Sequence, residues 1–392
     1  MNIRRTSQSR RVDWLALAVF ILPPLLMLGL EYRTNGCLGE LTNDARLYLS
    51  IADNAISTGH FIQTARDIEG FVVPPGVPFA LLLLRLLGFT LPMITAVQGV
   101  LFGADCLLLY RTGERLFGRC GLCAPLLFAL VYLRTRLYLG NIFVEHWYLF
   151  LLCLLLRLVF CEMEERKKAL LLSLCGLAAV MTRPALLPVY LACLGYAALC
   201  SVRRRSAWPL LGAVAISALA FGVNLAVNYR ETGEWIWLQN YSGVDFYAAF
   251  HPDAAVTRAQ SGKFGDPVLT AITTDASLSM SERSRRLMAL AREFVHQNPA
   301  GLLRKIILRG LELYGRSYFF VPLPALAGGI VFCRARRQAD GYILLAVNLM
   351  LALLSCCGIP ELRYTLPVWP LAALHLTALL AALQKRRARS PI

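Results

Sequence analysis

Apolar residues gather in long blocks along this chain, and short polar connections separate the blocks. Hydrophobic runs are expected to form helices over Trp14–Leu30, Pro92–Tyr110, Gly121–Tyr138, His146–Phe160 and Ala169–Met181. They continue over Pro184–Cys200, Trp208–Leu225, Tyr318–Phe332, Tyr342–Cys357 and Tyr364–Leu383. Several of these ten fall short of the ~20 residues that cover ~30 Å of hydrocarbon, so their ends must use interfacial residues or local thinning of the bilayer. The run Phe79–Leu87 is too short to cross and reads as a re-entrant or interfacial helix. The pattern predicts an all-α polytopic membrane protein with about ten transmembrane helices.

Composition agrees. With 57% hydrophobic residues, a mean hydropathy of +0.56 and 16% charged residues, the chain cannot surround a core with a polar coat. The formal charge of +16 is not a nucleic-acid signature, because the basic residues fall in clusters between apolar segments. Arg4, Arg5, Arg10 and Arg11 precede the first span, and Arg111, Arg115 and Arg119 follow the second. Further clusters sit at Arg166–Lys168, Arg203–Arg205, Arg334–Arg337 and Lys385–Arg389. Every second connection is basic, which places both termini in the cytoplasm. No small-residue cleavage site follows Leu30, so the first span is expected to stay attached.

Cysteines lie almost wholly within spans, where a thiol acts as a small apolar group; Cys37 is the one in an outer loop. A structural disulfide is not expected. Cys120 and Cys123 lack a second pair or histidines at zinc-site spacing, and no metal site is expected.

Two outer segments, 31–91 and 227–317, carry most of the remaining polar sequence within a single membrane domain. In the first, Asp44–Ser57 reads as a helix with Leu47, Ile51 and Ala55 on one face. Asp44 falls on its first turn, where a carboxylate suits the helix dipole or serves simply as a cap. In the second, Ser279-Met-Ser-Glu282 forms a capping-box pattern. Leu302–Tyr314 mixes basic and apolar residues like a helix lying on lipid.

A series of short motifs resembles the GT-C superfamily of membrane glycosyltransferases, which includes protein O-mannosyltransferases and the lipid A aminoarabinose transferase. Asp44-Ala-Arg-Leu-Tyr48 resembles the acidic motif of the first outer loop, and Pro74-Pro-Gly-Val-Pro78 the proline motif that ends it. Glu145-His-Trp-Tyr148 is similar to the acid opening the fourth span, and Gly176–Pro184 to the arginine-proline helix. Thr232-Gly-Glu234, Gly243–Tyr247 with His251-Pro252, Phe294–Pro299 and Arg363–Pro367 follow in the same order over nearly the whole chain. Unlike the mannosyltransferases, the chain has Asn43 and Ala45 beside Asp44 in place of a second acid, so their acceptor class does not carry over. It also lacks spans after the tenth.

The resemblance implies an inverting transfer from a polyprenyl-phosphate sugar to a hydroxyl of an envelope lipid, glycan or protein. It places the site on the outer face of the bacterial cytoplasmic membrane. Phosphate is already a good leaving group, so one base suffices, and Asp44 is the candidate. Arg363, then Arg183 and Arg136, are candidates for the donor phosphate, which suits a forked guanidinium. Glu145, Tyr48, His60 and Tyr364 are candidate substrate contacts. No cofactor is implied. A transporter or flippase would show ionisable residues at mid-span and an internal repeat, and neither is read here; a non-enzymatic assembly protein of the envelope would share the composition.

Overall fold

The computed structural model describes residues 13–35, 41–61, 72–135, 139–257, 259–260, 265–318, 321–336 and 339–387. Among these residues all regular structure is helical, with no strand. The first half holds α1 (Trp14–Asn35), α2 (Asn43–Thr58), α3 (Gly76–Leu86), α4 (Leu91–Phe117), α5 (Cys123–Arg134), α6 (Val144–Phe160), α7 (Glu165–Thr182) and α8 (Leu187–Arg203). The second holds α9 (Trp208–Thr232), α10 (Ser242–Phe250), α11 (Pro267–Thr274), α12 (Met280–Gln297), α13 (Pro299–Gly310), α14 (Pro322–Arg336), α15 (Ala339–Cys357) and α16 (Trp369–Arg387).

Among the described residues, five helical stretches are long and apolar enough to cross a membrane: Trp14–Arg33, Leu91–Arg134, Pro184–Arg203, Trp208–Thr232 and Leu362–Arg386. The second contains two of the ten expected spans. Its chain reverses at Gly118–Leu122, so that Phe102 of α4 meets Tyr132 of α5 with ring centroids 4.4 Å apart. Gly76–Leu86, Pro322–Arg334 and Tyr342–Cys357 are shorter apolar stretches. The outward faces carry Leu22, Leu25, Leu26, Trp208, Leu219 and Val223 in exposed positions. Water would penalise such a surface; hydrocarbon does not.

The helices alternate in direction, and this sorts the charges. At one end, Asp13, just before α1, pairs with Arg111 of α4 at 2.9 Å, Arg115 pairs with Glu162, and Arg204 with Glu165 at 2.7 Å. The Cys120 thiol reaches Gln384 at that same end. The basic clusters 111–119, 166–168, 203–205 and 385–386 therefore share one side of the bundle. At the other end lie the start of α6, the end of α7, the start of α8, the end of α15 and the turn Leu362–Val368 that leads into α16.

The 227–317 segment packs over that second end. As its capping box predicts, the Ser279 hydroxyl accepts from the Glu282 N–H. Leu287 of α12 is buried with Val244 and Tyr247 of α10, and Gly243 lets the helices touch, since a Cβ there would sit 2.1 Å from the Ser284 carbonyl oxygen. In α13 Lys305 and Arg309 turn inward, while Arg304 stays exposed. Arg309 is buried, donating to the carbonyls of Ala249 and Ala255 at 2.6 and 2.9 Å, while Leu303 and Ile307 face out, as a helix lying on lipid requires.

Candidate active site

Asp44 does not cap its helix. The cap of α2 is Thr42, whose hydroxyl accepts from the Ala45 N–H, so the carboxylate two residues later is free to point elsewhere. Its Oδ2 accepts from Arg363 Nη1 at 2.9 Å. Arg363 also donates through Nε to Glu361 Oε2 at 2.6 Å, so one guanidinium is shared by two carboxylates.

A buried polar hub fixes the N-terminus of α2. The Asn141 side-chain oxygen accepts from the backbone N–H and the hydroxyl of Thr42, both at 3.2 Å, and from its own neighbour Ile142 N–H at 2.9 Å. Gln98 of α4 donates to the carbonyls of Leu139 and Asn141 and accepts from Phe143 N–H. Glu31, at the end of α1, receives the Gly140 N–H. The same segment opens α6, so a single hub aligns Asp44 with Glu145.

Glu145 is 1% exposed and its Oε1 accepts from Arg183 Nη1 at 3.0 Å. Its other carboxylate oxygen is buried and has no hydrogen-bond partner. Arg183 lies over the rings of Tyr148 and Tyr364, 5.2 and 4.8 Å from their centroids, and Arg363 lies 5.3 Å from the same Tyr364 ring. Tyr364 thus keeps the two cations close, an arrangement that aromatic faces favour. Gly76 of the proline motif presses against the end of α7; a Cβ there would lie 2.6 Å from Thr182 Oγ1. That contact brings the proline motif to the end of α7 that leads into Arg183.

These groups line one cavity of about 480 Å³. Asp44, Tyr48, Glu145, Arg183, Arg363 and Tyr364 are all on its wall, and Leu186, Leu351, Leu354 and Ile359 form an apolar side. Two of the sequence candidates stand apart. His60 lies just past the far end of α2, about 20 Å from Asp44 at 1.5 Å per residue, where its Nδ1 meets Glu231 Oε2 at 2.9 Å, and it is not on the cavity wall. Arg136 lies outside the described residues.

The cavity also holds an acid outside the candidate set, Asp245 of α10. It opens onto the cavity while protein rings it, and that burial pushes its carboxyl up to about 6. Arg183 and Arg363 oppose the shift and Asp44 adds to it. Burial likewise raises the neighbouring Tyr241 to about 12, with Asp245 contributing, and raises Tyr48, with Asp44 and Glu145 contributing. The sequence signal for Asp245 was its place in Gly243–Tyr247, the segment held against α12 by Gly243.

Asp105 corrects the reading that the spans hold no ionisable group at mid-length. It is 1% exposed inside α4, and among the described residues no donor stronger than the weak Cys153 thiol reaches its oxygens, with the Cys106 thiol also beside it. Among the described residues no group of three or more His, Cys, Asp or Glu is placed to hold a metal ion.

Neither a protein-family model nor a curated protein matches the chain.

Proposed function

We propose that this chain is a GT-C-type membrane glycosyltransferase with about ten spans and both termini in the cytoplasm. It moves a sugar from a polyprenyl-phosphate carrier to a hydroxyl of an envelope lipid, glycan or protein on the outer face of the bacterial cytoplasmic membrane. The observation that carries this reading is the meeting of Asp44 with Arg363 beside Glu145 and Arg183. All four stand on one cavity with an apolar side, at the end of the bundle opposite the basic clusters.

The chemistry follows from which groups are paired. The donor phosphate is anionic, so it competes with Asp44 and Glu361 for Arg363 and with Glu145 for Arg183. Drawing Arg363 toward phosphate releases Asp44 Oδ2. That oxygen then accepts the proton of the acceptor hydroxyl as the hydroxyl oxygen attacks the anomeric carbon from the side opposite phosphate. The bond from anomeric carbon to phosphate oxygen breaks, the polyprenyl phosphate departs with the electron pair, and the configuration inverts. The unpartnered oxygen of Glu145 is available to a sugar hydroxyl. Leu186, Leu351, Leu354 and Ile359 receive the first isoprene units, and the tail continues into lipid past the exposed Leu353 and Leu354.

Binding of a polyprenyl phosphate to the protein in lipid nanodiscs tests this. Wild type and Asp44→Asn should both bind it, and Arg363→Ala should bind it more weakly. A wild-type protein that does not distinguish polyprenyl phosphate from the uncharged polyprenol would remove the phosphate site.

One observation favours a second reading. A fully buried acid with no cationic partner in the middle of an apolar helix is a feature of ion-coupled transporters, and Asp105, beside thiols alone among the described residues, is such an acid. On that reading Asp105→Asn abolishes function and Asp44→Asn spares it. The glycosyltransferase reading predicts the reverse order of damage.

A further inference from the structure

A second cavity, of about 400 Å³, runs between α6, α7, α8, α15 and α16. It is apolar for most of its length, and along α8 it extends from Val189 to Arg203, roughly 21 Å at 1.5 Å per residue. It shares Leu351 and Pro367 with the candidate active site at one end. At the other end, among the basic clusters, Lys168, Arg203 and Glu165 form its mouth.

Two features distinguish this groove from a bare hydrocarbon slot. The first is the charge at its mouth. Glu165 is already paired with Arg204 at 2.7 Å, and Lys168 spends one donor on the Val159 carbonyl at 3.2 Å, so Lys168 and Arg203 leave the mouth cationic. The second is Asn348 of α15, which lines the groove at 9% exposure. Its side-chain oxygen is buried without a hydrogen-bond partner. Asn348 lies about 8 Å below Ile343 at the mouth, counted along the helix. The same side chain carries an N–H₂ group, and a ligand with acceptor oxygens at that depth, such as ester carbonyls, would take a hydrogen bond from it.

We propose that this groove binds one anionic phospholipid from the leaflet on the basic side. Its phosphate sits between Lys168 and Arg203, its glycerol-ester region lies level with Asn348, and one acyl chain runs along α8 toward Leu351. A zwitterionic lipid offers the mouth no net negative charge. An isoprenoid tail entering from the active-site end would leave both Asn348 and the cationic mouth without partners. The inference stands on the groove alone and does not depend on the glycosyltransferase reading.

Native mass spectrometry of the detergent-purified protein, incubated with phosphatidylglycerol, phosphatidylcholine or polyprenyl phosphate, tests it. Wild type should retain one phosphatidylglycerol in preference to phosphatidylcholine. Lys168→Ala and Arg203→Ala should each lower that retention about fivefold, the size of one basic residue's attraction to an anionic headgroup. Gly195 lines the groove, and a Cβ there would meet nothing within 4 Å, so Gly195→Phe should fill the space and abolish retention. Its melting temperature, unchanged from wild type, checks the fold. Equal retention of phosphatidylcholine would overturn the headgroup assignment. Retention unaffected by Gly195→Phe would show a lipid annulus in place of a groove. Preferential retention of polyprenyl phosphate that Gly195→Phe abolishes would reassign the groove to an isoprenoid.

Discussion

Asp44 and Arg363 are 319 residues apart in sequence and 2.9 Å apart in the fold. Asp44 reaches this contact because Thr42 takes over the capping of α2 and Asn141 holds Thr42 in place. Arg363 reaches it from the turn that starts the last helix. If Asp44 is the base, Asp44→Asn keeps the size and half-exposed position of the side chain but cannot accept a proton. Transfer should fall about 10²- to 10⁴-fold with little change in melting temperature, measured by turnover and thermal unfolding of the same preparation.

Arg363→Lys preserves charge yet cannot serve Asp44 and Glu361 through separate nitrogens of one planar fork. Donor affinity should drop for this variant nearly as far as for Arg363→Ala, as read by titration of a polyprenyl phosphate into nanodiscs. Affinity at the wild-type level in Arg363→Lys would mean that charge alone suffices.

Glu145 and Arg183 form the most deeply buried ion pair of the site. Glu145→Ala leaves the guanidinium uncompensated and should cost about 3–5 kcal/mol. Adding Arg183→Met should recover a substantial part of that loss in a double-mutant cycle of unfolding free energies. Additive losses would show that the two side chains act independently.

Asp245 provides a pH signature. Its folded carboxyl is raised to about 6 by burial, so the folded chain holds a proton there more tightly than the unfolded chain does. Stability from this group is therefore full at low pH and falls as pH rises from the ordinary carboxylate value near 4 through about 6. Asp245→Asn should melt close to wild type at pH 4 and above it at pH 7. A difference that does not grow over this window would show that the acid is not strained.

The hub at Asn141 should govern the site without touching substrate. Asn141→Ala removes the acceptor for three donors around the start of α2, and each buried donor left unmet costs about 1–3 kcal/mol. Both melting temperature and transfer should fall, whereas Asn141→Asp, which keeps the accepting oxygen, should retain more of each.

Much of the site was legible because charged and aromatic residues at the ends of apolar runs stand out. Asp44, Tyr48, Glu145, Arg183, Arg363 and Tyr364 stand in or beside the short motifs that resemble GT-C landmarks, and the helix ends bring them to one wall. His60 shows the limit: it belongs to the same short segment as Asp44, but a helix of that length carries it to the far end. Thr42 and Asp44 are both good caps by type, and only the hub with Asn141 decides between them. Gln98 and Asp105 are single polar residues inside long apolar stretches, where hydropathy averages them away although burial makes them consequential. Leu91–Arg134 accounts for two of the ten expected spans because the glycine-containing turn Gly118–Leu122 divides it into α4 and α5.

Mass spectrometry of envelope lipids and glycans tests the central claim most directly. It compares cells lacking the gene with the same cells given wild-type protein or Asp44→Asn at equal membrane abundance. The account predicts a sugar-bearing component that is missing without the gene, restored by wild type and not restored by Asp44→Asn. Restoration by Asp44→Asn, or envelopes that do not differ with and without the gene, would contradict it.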